Sequence, residues 1–469
     1  MFGLSTGLAV LLIVGLLLAC FFEFINGFHD TANAVATVIY TNSMKPTIAV
    51  VYSGILNFIG VLFGGIAVAM GIVNLLPMDV LVDANPYHGI ALVLALLISA
   101  IIWNFGTWYY GIPSSSSHTL IGAILGIGIA FYFIPDNNIG GSAVNWDKAK
   151  DTGMALLFSP MIGFSMAIIV MFIFKRFIKN EIIYKEPIPG KKPPIWIRML
   201  LWGTCGMVSF FHGQNDGQKG VGLIMMILIA ILPGYFAVDN KINLQSIHGN
   251  IDKIEILMKK ADTTALATKE KKLYADIMKH SAHFHTATDG KFNSDEIGVS
   301  DRFNLRKDIV KVTKGCDKLI KGGNLTLSSN DIKEINTEIK ASKKLIEYAP
   351  SWVIILISIS LGLGTMIGWK RIVKTVGEKI GKQHMSYAQG ASAEIVASLG
   401  IGMASAYGLP VSTTHMLSSG IAGSMVAKKG LKNLQKNTIK TIALAWILTL
   451  PVTIILSGGL YILFRFIFS

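Results

Sequence analysis

The chain has 469 residues, 52% of them hydrophobic and only 15% charged, with a mean hydropathy of +0.54. Soluble domains carry about 25% charged residues, so an ordinary soluble protein is excluded and an all-α polytopic membrane protein is expected. The formal charge of +14 sits largely in short loops, which reads as membrane topology; no aromatic-interleaved basic patch argues for nucleic acid.

The first apolar run, 4–22, is long enough to cross a bilayer. No Lys or Arg precedes Lys45, so a cleavable signal is not expected. The polar stretch Asn26-Gly-Phe-His-Asp-Thr-Ala-Asn33 follows, with Glu23 just ahead of it. Apolar runs at 47–73 and 87–103 lead to Gly111-Ile-Pro-Ser-Ser-Ser-Ser-His118. The run at 152–174 ends in a loop from Lys175 to Arg198 that is rich in Lys and Arg and is expected inside the cell. A second polar stretch reads His212-Gly-Gln-Asn-Asp-Gly-Gln-Lys219.

From about 237 to 349 the chain is polar, and runs such as Ile251–Met258 and Ile332–Ile339 place apolar residues at helical spacing. A soluble insert of three or four helices is expected there. Its histidines His280, His283 and His285 read as exposed polar side chains in preference to a metal site. Apolar runs at 350–369 and 441–468 flank a second basic loop (Lys370, Arg371, Lys374, Lys379, Lys382) and the stretch Gly408-Leu-Pro-Val-Ser-Thr-Thr-His415. Cys20, Cys205 and Cys316 are scattered, with neither disulfide nor metal spacing.

Two polar motifs thus occur twice in the same order, Asp30 matching Asp216 and Pro113 matching Pro410. Duplicated polar clusters in apolar sequence point to a transporter built from two repeats. Repeat one covers 1–180; repeat two covers 195–236 and 350–469, interrupted by the insert at 237–349. About five spans per repeat would invert the second copy relative to the first, giving two inverted repeats and about 10–12 membrane segments. The stretches around 24–44 and 197–235 read as broken helices.

The chemistry divides between the motifs. Gly111 and Pro113 end one helix, and Ser114, Ser115, Ser116 and Ser117 begin another. Serine and threonine oxygens cap a helix whose free N–H groups attract an anion. Ser412, Thr413 and Thr414 repeat this, so two helix starts could hold one tetrahedral oxyanion; ordinary capping is the bland alternative. Asp30 and Asp216 lie beside Asn26, Asn33 and Asn215 in apolar surroundings, where a carboxylate must be paired, protonated or bound to a cation. Na⁺ fits such oxygen ligands, and H⁺ is the competitor. Lys219 either pairs with Asp216 or adds charge for the anion. Glu394 is a candidate for coupling or gating, as are His118 and His415, while Asn57, Asn104 and Gln389 read as interhelical bonds. No nucleophile–base pair or nucleotide loop suggests an enzyme; a channel would share the polar centre.

Taken together, Gly27–Thr37, His212–Gly220, Gly111–His118 and Gly408–His415 resemble the motifs of the PiT-type inorganic phosphate transporters. The resemblance spans both repeats but not the insert's sequence. It implies symport of inorganic phosphate with Na⁺ or H⁺ through inverted repeats. It also implies ion-site roles for Asp30, Asn33, Asn215 and Asp216, phosphate roles for Ser115 to Ser117 and Ser412 to Thr414, and a cytoplasmic midchain loop. His29 and Lys219 stand where the family pattern has Asn. The expectation is a multi-pass protein of the cell membrane, importing phosphate with Na⁺, with no further cofactor and with a homodimer as a candidate assembly. Proton or metal-phosphate coupling, or another oxyanion such as sulfate, are the alternatives.

Overall fold

The computed structural model describes residues 3–82, 85–134, 142–188, 190–323 and 325–468; the side chains of 31–33, 378 and 429 lie outside the described set. Among the described residues the chain is 79% helical and has no strand. It forms two compact units, Gly3–Ile227 with Ala349–Ser469, and Leu228–Tyr348. The second unit begins ahead of the 237 read from the sequence.

The first unit opens with α1 (Thr6–Tyr40), α2 (Pro46–Phe63), α3 (Ala67–Val73), the single turn α4 (Met78–Leu81), α5 (Pro86–Tyr109), α6 (Ser116–Phe133) and α7 (Trp146–Phe177). Helix α8 (Ile195–His212) runs through a π turn, Gly213–Gly217, into α9 (Gln218–Ile231). The second unit contains the turn α10 (Pro233–Phe236) and the helices α11 (Leu244–Lys259), α12 (Thr268–Thr288), α13 (Val299–Gly322) and α14 (Ser329–Lys343). The first unit then resumes with α15 (Ser351–Met366), α16 (Lys370–Glu378), α17 (Tyr387–Ala406), α18 (Thr413–Lys429) and α19 (Lys436–Ile467).

Among the described residues six helices, α1, α2, α5, α6, α7 and α19, are long and apolar enough to cross a membrane. A seventh span results if α15 and α16, bent by 65°, count as one. The 10–12 segments expected would also include α8, α9, α17 and α18, which do not qualify by length and composition alone: α9 and α18 have 14 and 17 residues, and α8 and α17 are too polar. Outward-facing Phe172, Ile447 and Ile455 are exposed apolar side chains that a bilayer solvates.

The broken helix expected around 24–44 is not observed: α1 continues through the first motif. Gly27 serves close packing there. A Cβ on it would lie 2.5 Å from Leu361 O on α15, and one on Gly364 would lie 2.1 Å from Phe24 O. The matching Gly213 sits against α2, where a Cβ would meet Asn57 O at 2.2 Å. Small residues let membrane helices approach backbone to backbone. Each motif helix therefore packs on the second long helix of the other copy, α1 on α15 and α8 on α2.

The second unit packs Ile251, Ile254, Phe284, Ile309, Val312 and Ile335 into one core. Its histidines are tied down: His280 and His283 reach Asp308 at 2.7 and 2.6 Å, and His285 reaches His248 at 3.0 Å. Arg306 is 1% exposed. Its Nη1 donates to Ala237 O at 2.9 Å and Ile346 O at 2.6 Å, joining the two ends of the unit. Burial pushes this guanidinium down to about 10, which leaves it charged at neutral pH. Arg306→Met removes two charge-assisted bonds and orphans two carbonyls, a loss of about 3 kcal/mol. Faster protease cleavage within 228–348 of the full-length protein in detergent is the expected result; an unchanged rate would refute it.

Candidate ion and substrate site

The two Ser/Thr loops share one local design. Gly111 and Gly408 take φ of +66° and +65°, a left-handed conformation that glycine adopts without strain. Their N–H groups donate to Trp108 O at 2.8 Å and Ser405 O at 3.0 Å. Ile112 and Leu409 then donate to Thr107 O and Ala404 O, both at 2.9 Å. Ser115 Oγ caps α6 by accepting the His118 N–H at 3.2 Å, and Ser412 Oγ caps α18 by accepting the His415 N–H at 3.1 Å. Sequence duplication has become geometric duplication, and the first turns of α6 and α18 present Ser116, Ser117, Thr413 and Thr414.

Those hydroxyls meet the two aspartates in one buried centre. Ser116 Oγ donates to Asp30 Oδ2 at 2.6 Å and lies 3.3 Å from Asp216 Oδ2. Thr413 donates to Asp216 Oδ1 at 3.0 Å, while Thr414 donates across the repeats to Asp30 Oδ1. Lys219 Nζ pairs with Asp216 Oδ1 at 2.8 Å and donates to Ser117 Oγ at 2.5 Å and Val411 O at 3.0 Å. Ser117 in turn donates to Val411 O at 2.7 Å. All of these side chains are buried.

The sequence pattern separates cation-binding aspartates from anion-binding loops; the structure interlocks them. One Ser116 proton faces two carboxylates, and like charges that close in a medium of low dielectric repel unless cations intervene. Three cationic or protonatable groups surround them. Lys219 is one; His29 Nδ1 stands 3.1 Å from Asp30, and His212 Nε2 stands 3.7 Å from Asp216. Asp30, His212 and Asp216 bring ligand atoms within 4.8 Å of one another, close enough to share a metal ion.

Not every candidate joins this centre. Ser114 is bound to Thr107 within its own loop at 2.8 Å. Asn215 holds the second loop, donating to Ser405 Oγ and Leu409 O and accepting from Val411 N. Glu394 accepts from Thr37 and Thr204, which ties α17 to α1 and α8. His118 reaches Ser115 Oγ at 2.8 Å, and its ring lies 4.4 Å from that of His415. The Asn33 side chain lies outside the described residues.

Glu23, just ahead of the first motif in sequence, carries no site role in the sequence pattern. It is buried and accepts from Asn26 Nδ2 at 3.2 Å, yet its Oε1 and the Asn26 Oδ1 have no hydrogen-bond partner. Two orphaned oxygens one turn apart are an unmet demand for a cation or proton. His212, held by Asn57 Oδ1 at 2.9 Å, carries none there either; its i,i+4 spacing from Asp216 is the available signal.

Many apolar helices around one buried centre of carboxylates, hydroxyls and a lysine define a multi-pass membrane transporter of small ions. The profile of the phosphate transporter family matches residues 26–457. The chain is 42% identical to the low-affinity inorganic phosphate transporter of Buchnera aphidicola subsp. Acyrthosiphon pisum, over 97% of this chain and 96% of that one. It is 39% identical to the low-affinity inorganic phosphate transporter PitA of Escherichia coli strain K12, over 98% and 97%. A solved structure described as the sodium-dependent phosphate transporter shares the fold, with a TM-score of 0.55 at 19% identity over 98% of this chain and all of that one. The chain belongs to the phosphate transporter family, whose members are transporters and not enzymes, and it is a multi-pass protein of the cell membrane.

Proposed function

We propose that the protein imports inorganic phosphate by symport with Na⁺, through alternating access of two inverted repeats. The carrying observation is that Ser116 and Thr414 donate their hydroxyl protons to Asp30. A hydroxyl has one proton, so it cannot serve a carboxylate and a phosphate oxygen at once. Na⁺ arriving at Asp30, Glu23 Oε1 and Asn26 Oδ1 would offset the Asp30 carboxylate, as Lys219 offsets Asp216, and free Ser116 and Thr414 to turn to phosphate. Cation and anion then bind each other's site into shape, a positive coupling between sites. The relative described as sodium-dependent accords with this ion.

Proton coupling is the second reading, favoured by His29 and His212 on the two carboxylates. Uptake of labelled phosphate into proteoliposomes, with Na⁺ and pH gradients imposed separately, tests both. Concentrative uptake under a Na⁺ gradient at equal pH is expected. Accumulation under a pH gradient alone would select the proton, and purely downhill flux would reject symport. Thr414→Val and Ser116→Ala should each raise the phosphate KM by about tenfold, the worth of one hydrogen bond to an anion. An unchanged KM in both would remove the hydroxyls from the phosphate site.

A further inference from the structure

A cavity of about 410 Å³ lies between α7, α18 and α19, walled by Met161, Phe164, Ala422, Ile442 and Trp446. Apart from the indole of Trp446, three serines (Ser165, Ser418 and Ser419) are the polar side chains among its described lining residues, and it opens outward beside the exposed Met161 and Ala443. In a membrane protein the medium at that opening is lipid acyl chain.

One end is lined by Ile380, Leu434 and Ile439. There two loops are stitched together: Gly381 bridges to Leu434, the Lys382 N–H donates to Asn433 O at 2.7 Å, and the Gln435 N–H donates to Ile380 O at 3.0 Å. The stitching gathers the exposed Lys379, Lys382, Lys432, Lys436 and Lys440 at that end of the cavity. Glu378 is the one acidic residue in 370–385 and 428–440.

We propose that this is a binding site for one anionic phospholipid, its acyl chain in the cavity and its phosphodiester headgroup on the lysines. An apolar slot that ends in clustered ammonium groups matches such a molecule in both shape and charge, whereas a zwitterionic lipid gains little from the lysines. The site is also connected to transport. Trp446, in the cavity wall, stacks on His415 at 4.0 Å and donates its Nε1–H to Pro113 O at 3.1 Å, so it touches both Ser/Thr loops. A bound chain would hold that ring, and through it the two loops, in register.

Native mass spectrometry of the full-length protein in a non-ionic detergent, offered phosphatidylglycerol and phosphatidylcholine in equal amounts, tests this. One phosphatidylglycerol per chain should be retained in about tenfold preference. Combined Lys432→Gln, Lys436→Gln and Lys440→Gln should erase the preference, and Ala443→Phe, which closes the opening, should remove both lipids. The same variants should lose the stimulation of phosphate uptake by phosphatidylglycerol in proteoliposomes. Equal retention of the two lipids by the parent protein, or unchanged preference in the lysine variant, would overturn the proposal. A lipid-free dimer abolished by Ala443→Phe would also overturn it, by giving the cavity to a second copy of the chain.

Discussion

Asp216→Asn is expected to abolish concentrative phosphate uptake, with a fall of at least about 100-fold, because it removes a charge from the buried site; it also destabilises the fold by stranding a buried lysine. Asp216 Oδ1 accepts from both Lys219 and Thr413, and Oδ2 faces Ser116 and His212. The amide keeps the shape but not the charge, and an unpaired buried ammonium costs about 3–5 kcal/mol. Asp30→Asn should also stop transport, with a smaller effect on folding. Its partners are the two hydroxyls and His29, and no lysine is left unpaired when the carboxylate becomes an amide. The double variant Asp216→Asn, Lys219→Met separates folding from transport, since it leaves no stranded charge. It should recover the thermal midpoint of the parent and still fail to transport. Uptake within about threefold of the parent in either single variant, well short of the loss expected for a charge at the site, would exclude the aspartates from coupling.

The parts of this arrangement that were legible in the sequence are those set by neighbours along the chain. Gly111 and Gly408 before Pro113 and Pro410 mark breaks because glycine and proline act on their own backbone, and Ser115 and Ser412 cap the next helix three residues on. The insert's helices show in periodic apolar residues such as Ile251 and Ile254. What was hidden depends on contacts across hundreds of residues. Asn26, His29 and Asp30 look like helix breakers in sequence, yet α1 continues because Thr414 and Ser116 satisfy the carboxylate from other helices. The same crossing makes Glu394 a tie between Thr37 and Thr204, which no local pattern announces. Among the described residues only six or seven segments stand out by length and composition alone, because the residues that carry function also shorten their helices or make them more polar.

Lys219→Asn should convert a built-in cation into a requirement for a mobile one. Lys219 occupies in the second motif the position that Asn33 holds in the first. Its ammonium spends all three donors, on Asp216, Ser117 and Val411 O, so the second half-site is neutralised before any ion arrives. The first half-site has no lysine at the matching position. A dianion entering beside two carboxylates therefore needs fewer mobile cations than a symmetric pair of half-sites would. With asparagine at 219, Asp216 must recruit a cation from solution. The initial uptake rate should then depend on Na⁺ concentration with a Hill slope higher by about one, the gain of a single linked binding event. Uptake at low Na⁺ should fall by about 100-fold and recover as Na⁺ rises, since mass action replaces the tethered charge. An unchanged slope, or a loss that no Na⁺ concentration reverses in a protein that still melts like the parent, would show that Lys219 serves phosphate directly and not as a substitute for a coupling ion.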